Sequence, residues 1–132
     1  MAKNEEVKDS NYSCEIISCT KELSAKERVM IKDTTNTVKL EQALDTEDVI
    51  VDVDYCAELA IHNEKADNAD YNNYIVADKN GTRYRTGSTS FWQALKLITD
   101  EMIGVEEDWK LKIYKAPSQK REGKFFITCS VI

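Results

Sequence analysis

The sequence predicts a mainly β fold with one main helix. Three observations predict it: a long strand pattern between Val49 and His62, an Asn-Gly hairpin signal at 80–81, and one amphipathic helix followed by two strand patterns. A single helix inserted before the last two strands is the arrangement of an OB-fold-like five-stranded barrel, here with an extra N-terminal strand and short helix. A generic α+β sheet with a helix on one face is the alternative.

Length and composition predict one domain. The chain has 132 residues, 42% hydrophobic and 32% charged, enough to bury a core without cross-links. We expect a flexible N-terminal tail at 1–12 and a single domain at 13–132. The start of the chain is polar, and no apolar run approaches the roughly 20 residues of a membrane span. These features favour a cytoplasmic protein with no membrane partner.

The first 48 residues predict three short elements. The run "SCEIISCT" at 13–20 is read as a first strand. Ser24 followed by Glu27 has the capping-box spacing, which predicts the start of a short helix. The polar stretch that follows is expected to hold one helical turn between Val38 and Leu44.

The segment "VIVDVDYCAELAIH" at 49–62 carries the clearest pattern in the chain. It alternates with period two over more than ten positions, which only a strand explains. Because it is longer than a typical strand, it is expected to bend and contribute to two faces of a small barrel. The stretch "NEKADNADYNN" at 63–73 then predicts a polar loop.

The next segment, "YIVADKNGTRYRTG", predicts a hairpin with a two-residue loop at 80–81. In that register Asp78 faces Arg83 as a favourable cross-strand pair. Arg83 and Arg85 share one face of the second strand, and Tyr84 takes the other.

The segment "STSFWQALKLITDEMIG" predicts the main helix, capped by Ser90 with Gln93 and ended at Gly104. Its apolar stripe consists of Phe91, Ala94, Leu95, Ile98 and Met102. Two strands follow, in "DWKLKIYK" and "KFFITCSVI". Their expected core-facing residues are Trp109, Leu111 and Ile113 in the first, and Phe125, Ile127, Cys129 and Val131 in the second.

Catalytic and metal chemistry find little support. The four cysteines form no C-x-x-C pair and His62 is the only histidine, so a zinc site is not expected. The cysteines, Cys14, Cys19, Cys56 and Cys129, are read as structural thiols, with a disulfide of Cys14 or Cys19 left open. Asp52 and Asp54 are interpreted as residues on the solvent-exposed face of a strand. No nucleophile elbow or phosphate-binding glycine loop is present, so we expect no enzyme and no cofactor.

The charge is uneven along the chain. The net charge is -6, but residues 1–70 carry 8 basic and 17 acidic side chains, whereas residues 71–132 carry 10 basic and 7 acidic. Single-strand binders combine a basic groove with flat aromatics, and both occur in the second half. The candidate nucleic-acid-binding residues are Arg83, Tyr84, Arg85, Lys110, Lys112, Tyr114, Lys115, Lys120, Arg121, Lys124 and Phe126. Solvated strand positions, a plain polar loop and second-layer packing are the competing explanations.

The second half resembles the small single-stranded-DNA-binding proteins of phages that infect Gram-positive bacteria. The residues that carry the resemblance are the hairpin "DKNGTRY", the hydroxyl-rich "TGSTS", the single helix, and two closing strands with a basic loop that ends in "GKFF". The opening "EIISCTKELSAKE" is also similar to the start of some of these chains.

The resemblance implies an OB-fold protein that coats single-stranded DNA during phage replication or recombination, in the cytoplasm of the host. It implies binding roles for Arg83, Tyr84 and Arg85, and for Lys112, Tyr114, Lys120 and Lys124. Its partners would be single-stranded DNA and phage replication proteins, with self-association left open. The alternative is an acidic inhibitor that mimics DNA toward a host nuclease or defence protein, as suggested by the acid excess of residues 1–70.

Overall fold

The computed structural model describes residues 12–132, and the mainly β class is confirmed. The predicted tail lies outside the described residues except for Tyr12, which opens the first strand. The strands are β1 Tyr12–Cys19, β2 Val38–Lys39, β3 Val49–Val51, β4 Val53–Asn63, β5 Asp70–Asp78, β6 Arg83–Thr86, β7 Leu111–Pro117 and β8 Phe125–Val131. The helices are α1 Ala25–Ile31, α2 Leu40–Ala43 and α3 Thr89–Met102, with a 3₁₀ turn at Thr34–Asn36.

The strands form two open sheets. The larger has the order β1-β4-β5-β6-β2, and the smaller has the order β3-β7-β8. All neighbouring strands are antiparallel except β2 and β6. Among the described strands β6 pairs with β2 and not with β8, so backbone hydrogen bonds do not close them into a ring.

One stretch of chain serves both sheets. The predicted long strand is present as β3 and β4, interrupted only at Asp52. β3 pairs with β7, whereas β4 pairs with β1 and β5. At the interruption the Asp52 amide donates to Asp78 Oδ2 at 3.2 Å, and its carbonyl accepts from the Lys79 amide at 2.9 Å. The expected bend is therefore held in place by the end of β5.

The main core lies between the two sheets and under α3. Phe91 and Leu95 of the predicted helix stripe are fully buried, and Ala94 and Ile98 pack against the same cluster. The helical turn expected near 38–44 is α2, which buries Leu40 in this core. The fully buried residues of β3 and β7 are Val51, Leu111 and Ile113.

A second core covers the other face of the larger sheet. It joins Leu23 and Ile31 to alternate residues of β4 and β5, such as Leu59. The predicted capping box of α1 is confirmed, because Ser24 Oγ accepts from the Glu27 amide at 3.1 Å and Glu27 Oε1 accepts from the Ser24 amide at 2.9 Å. The middle of the larger sheet is therefore buried on both faces.

The predicted hairpin register is wrong by one residue. Ala77 is opposite Arg83, so the expected Asp78–Arg83 pair does not form. Asp78 Oδ1 instead accepts from the Asn80 amide at 2.9 Å, and the Asp78 carbonyl accepts from the Gly81 amide at 2.9 Å. With Gly81 at φ +98°, these bonds build a three-residue loop, which shifts the second strand by one position.

The expected loop at 63–73 is shorter than predicted. Asp70 to Asn73 belong to β5, opposite His62 to Leu59 of β4. Polar side chains form hydrogen bonds across this hairpin; for example, Asn72 Nδ2 donates to Glu58 Oε2 at 2.8 Å. Composition alone therefore misassigned a polar but fully paired strand.

The main helix begins two residues earlier than predicted. Ser88, not Ser90, is the N-cap, because Ser88 Oγ accepts from the Phe91 amide at 3.2 Å. Ser90 Oγ instead donates to the Ile127 carbonyl at 3.1 Å, which fastens the helix start to β8. The helix ends before Gly104, as expected, with that residue at φ +88°. In residues 12–132 no helix has the length and apolar character needed to cross a bilayer.

The inward face of β8 is shorter than the alternation predicts. Ile127 and Cys129 are buried, but Phe125 is 65% exposed and Val131 is 43% exposed. Phe125 is opposite Pro117, the last residue of β7, so it lies where the hairpin leaves the core. The part of the chain that the structure describes contains four free cysteines and no disulfide.

The cap assignment can be tested by unfolding. We expect Ser88→Ala to lower the free energy of unfolding by about 1 kcal/mol, because it removes the acceptor of an otherwise unpaired helix N–H. Gln93→Ala, at an exposed position of the cap predicted from sequence, should change it by less than about 0.5 kcal/mol. Urea unfolding followed by circular dichroism measures both, and a larger loss for Gln93→Ala would contradict the Ser88 cap.

Candidate nucleic-acid interface

The predicted site residues fall on three separate surfaces. Arg83 and Arg85 lie on the outer face of β6, beneath the N-terminal part of the described chain. Arg85 Nε donates to the Thr37 hydroxyl at 2.8 Å. Arg83 is half-buried, and its Nε is buried without a hydrogen-bond partner among the described residues. Hydrogen bonds from Thr35, with a smaller contribution from the Arg83 charge, hold the pKa of Asp33 below its ordinary value.

A ligand could reach this first surface only if the N-terminal segment moved away, which would expose buried side chains of the second core to solvent. Leu23 and Ile31 are 7% and 1% exposed, and burial of side chains of this size is worth about 1.5–3 kcal/mol each. Tyr84 takes the opposite face of β6, as the sequence predicts, and packs against the main core. Burial, with a smaller effect of Asp78, raises the pKa of Tyr84. The three hairpin residues therefore do not share one open surface.

The second surface is β7 and the residue before it, where every predicted lysine has an acidic partner. The pairs are Lys110–Asp52 at 3.8 Å, Lys112–Asp48 at 3.6 Å and Lys115–Asp45 at 2.9 Å. Pairing of β3 with β7 brings the acids to the lysines from a distant part of the chain. Exposed ion pairs of this kind stabilise the fold little, but they cancel the positive charge that a phosphate would meet.

Tyr114, on the same strand, is partly engaged by its own neighbours. Its hydroxyl is 2.8 Å from Ser130 Oγ, and Lys112 Nζ lies 5.7 Å from the centre of its ring. On that face of the ring a base could stack only by displacing the lysine. The second surface is therefore nearly neutral and already paired.

The third surface is the tip of the β7–β8 hairpin. Lys120, Arg121 and Lys124 are exposed there, and none has an ion-pair partner within 4.0 Å in the described chain. Phe125 and Phe126, 65% and 39% exposed, follow directly. The loop itself is ordered by backbone bonds, including one of 2.8 Å from the Ser118 amide to the Lys124 carbonyl. This tip is where cations and aromatic rings occur together on open surface.

A groove runs from this tip between α2 and β8. It has a volume of about 470 Å³, and its lining combines both phenylalanines with hydroxyl, amide and charged groups. The residues are Lys39, Glu41, Gln42, Asp45, Ser88, Ser90, Lys115, Phe125, Phe126 and Ile127. Sequence reasoning placed Phe125 in the core and did not single out Lys39. The position of Phe125 directly after a glycine-containing loop was the available signal, since strand ends often extend beyond the core.

Outside these surfaces, the other notable titratable groups are two buried thiols and an ion-paired carboxylate. Burial raises the pKa of Cys129 to about 12 and also raises the pKa of Cys56, so both thiols stay protonated at neutral pH. Asp54 is paired with Lys21 at 3.0 Å. No group of three acidic, histidine or cysteine side chains suited to a metal ion occurs in residues 12–132.

Comparisons with protein-family models, curated proteins and solved structures give no match to this chain. Its function must therefore be inferred from the side chains described above.

The only histidine offers a check of the hairpin geometry. His62 Nδ1 lies 2.8 Å from Asp70 and Nε2 lies 3.2 Å from Glu64, and these hydrogen bonds raise the pKa of His62. We expect an NMR titration to give a pKa above 6.5, which Asp70→Asn lowers. Because the folded pKa is raised, the small stabilisation is present below pH 6.5 and is lost as the pH rises through the folded value. An unshifted pKa would contradict this pairing.

Proposed function

We propose that this protein binds single-stranded DNA without a fixed sequence motif, through the tip of the β7–β8 hairpin. The observation that supports the proposal is the adjacency of Phe125 and Phe126, both exposed, to three cations without ion-pair partners in the described chain. Single-strand binders use these two ingredients, a positive track for phosphates and flat rings for bases. Phe125 is 65% exposed, so most of its ring is not buried by the fold.

The order of elements is compatible with the proposal. From β3 to β8 the chain follows the strand and helix order of an OB-fold, whose loop between the last two strands contributes to oligonucleotide binding. The hairpin tip is that loop here. β2 and α2 occupy the position beside β6 where the last strand of an OB-fold would pair. We infer an OB-like arrangement that is kept open by β2 and α2, which precede it in the chain.

The local charge also favours DNA over the alternative of an acidic inhibitor. The acids Asp45, Asp48 and Asp52, part of the excess in the first half, are each engaged by a lysine. A DNA mimic needs such acids free, spaced like phosphates along an open surface. The net charge of -6 does not exclude DNA binding, since the cations of the tip lie within a Debye length of a bound strand.

The cations can be tested through the salt dependence of binding. We expect joint replacement of Lys120, Arg121 and Lys124 by Ala to weaken oligo-dT binding and to reduce the slope of log K against log salt by about 2. Joint replacement of Lys26, Lys32 and Lys65, exposed lysines on α1 and two loops, makes the same change in net charge. Fluorescence titration at several salt concentrations measures both variants. Equal effects of the two triple variants would place the interface elsewhere.

The aromatic rings can be tested separately. We expect Phe125→Ala and Phe126→Ala each to reduce the affinity for oligo-dT by about 1–3 kcal/mol with an unchanged salt slope, because stacking neutralises no phosphate. Leu97→Ala removes a side chain of 75% exposure on α3 and serves as the control. Binding of neither oligo-dT nor oligo-dC by the unaltered protein at low salt would disprove the proposed function.

A further inference from the structure

We propose that the groove between α2 and β8 is a base-binding site that prefers bases with an exocyclic amino group, such as cytosine, over thymine. This inference rests on the proposed function and deepens it. The groove begins at Phe125 and Phe126, so a base stacked on either ring lies at its mouth. Lys39, which is exposed and lines the groove, can meet a neighbouring phosphate, whereas Lys115 is paired with Asp45.

The selecting group is the carboxylate of Glu41. Its Oε2 accepts a hydrogen bond from the buried Thr86 hydroxyl at 2.6 Å. Its Oε1 is buried and has no hydrogen-bond partner among the described residues, although Glu41 lines the groove. A buried acceptor without a donor is unusual, and a ligand that supplies the donor removes the imbalance. Because Oε1 is buried, a donor bound in the groove reaches it only when the side chains that cover it move aside.

The direction of the hydrogen bonds at this site is fixed. The Ser88 amide can only donate, and it donates to Thr86 Oγ1 at 3.1 Å. The Thr86 proton is therefore directed to Glu41 Oε2, which leaves Oε1 as the carboxylate oxygen that has no donor among the described residues. Cytosine presents an amino donor at the position where thymine presents a carbonyl oxygen. A carboxylate oxygen attracts the first and repels the second.

The test compares oligo-dC and oligo-dT of equal length as competitors for a fluorescent oligonucleotide. For the unaltered protein we expect oligo-dC to compete about fivefold better or more, as one base contact supplies. In Glu41→Gln the amide oxygen takes the Thr86 bond, so an NH₂ donor replaces Oε1. The preference should then fall to none or reverse toward oligo-dT.

Two further variants separate this effect from charge and from folding. Asp45→Asn removes a carboxylate that lines the same groove and is paired with Lys115, so it should change both affinities alike and keep their ratio. Glu41→Asp keeps the charge but withdraws the acceptor by one methylene, and it should also reduce the preference. Thermal unfolding of each variant verifies its fold, and Glu41→Asp provides the test if Glu41→Gln does not fold.

The outcomes distinguish this inference from the proposed function. Equal competition by the two oligonucleotides, or a preference that Glu41→Gln leaves unchanged, overturns the base-binding site while DNA binding stands. Binding of neither oligonucleotide overturns the proposed function and this site with it.

Discussion

The architecture depends on the bend at Asp52, where one extended stretch of chain leaves the smaller sheet and enters the larger. The backbone of Asp52 is held from both sides by Asp78 and Lys79, so the end of the β5–β6 hairpin fixes the angle between the sheets. The Asp52 carboxylate also reaches Lys79 at 3.7 Å and Lys110 at 3.8 Å. Without this bend, β3 would not pair with β7, and the smaller sheet would not cover the main core.

The same bend decides which charges remain available. Because β3 lies beside β7, the acids at 45–52 meet the lysines of β7, and a row of cations that looks like a phosphate track is neutralised. In parallel, α1 and the 3₁₀ turn close the outer face of the larger sheet over Arg83 and Arg85. Two of the three surfaces that carry the predicted binding residues are thus occupied by the protein itself. The hairpin tip stays open because it extends past the end of both cores.

The sequence predicted most elements because their signals are local. The alternation of β4, the capping box at Ser24 and the helix stripe each depend on residues within one element. The errors have a different origin. The hairpin register depended on the Asp78 side chain, which accepts a hydrogen bond from the Asn80 amide and does not pair with Arg83. The exposure of Phe125 depended on where β7 ends. The neutrality of the β7 surface could not be predicted from the sequence, because ion pairs such as Lys115–Asp45 join residues far apart in the chain.

The position of α2 explains why a groove exists beside β8. Leu40 anchors this short helix in the main core, and β2 attaches it to β6, so it lies beside β6 at the edge of the larger sheet. A helical turn is wider than a strand and offers side chains where a strand would offer backbone groups to β8. The gap that remains is therefore lined by Glu41 and Gln42 on one side and by Phe125 and Phe126 on the other. This short helix, which precedes β3 in the chain, thereby places polar side chains opposite the exposed aromatic residues.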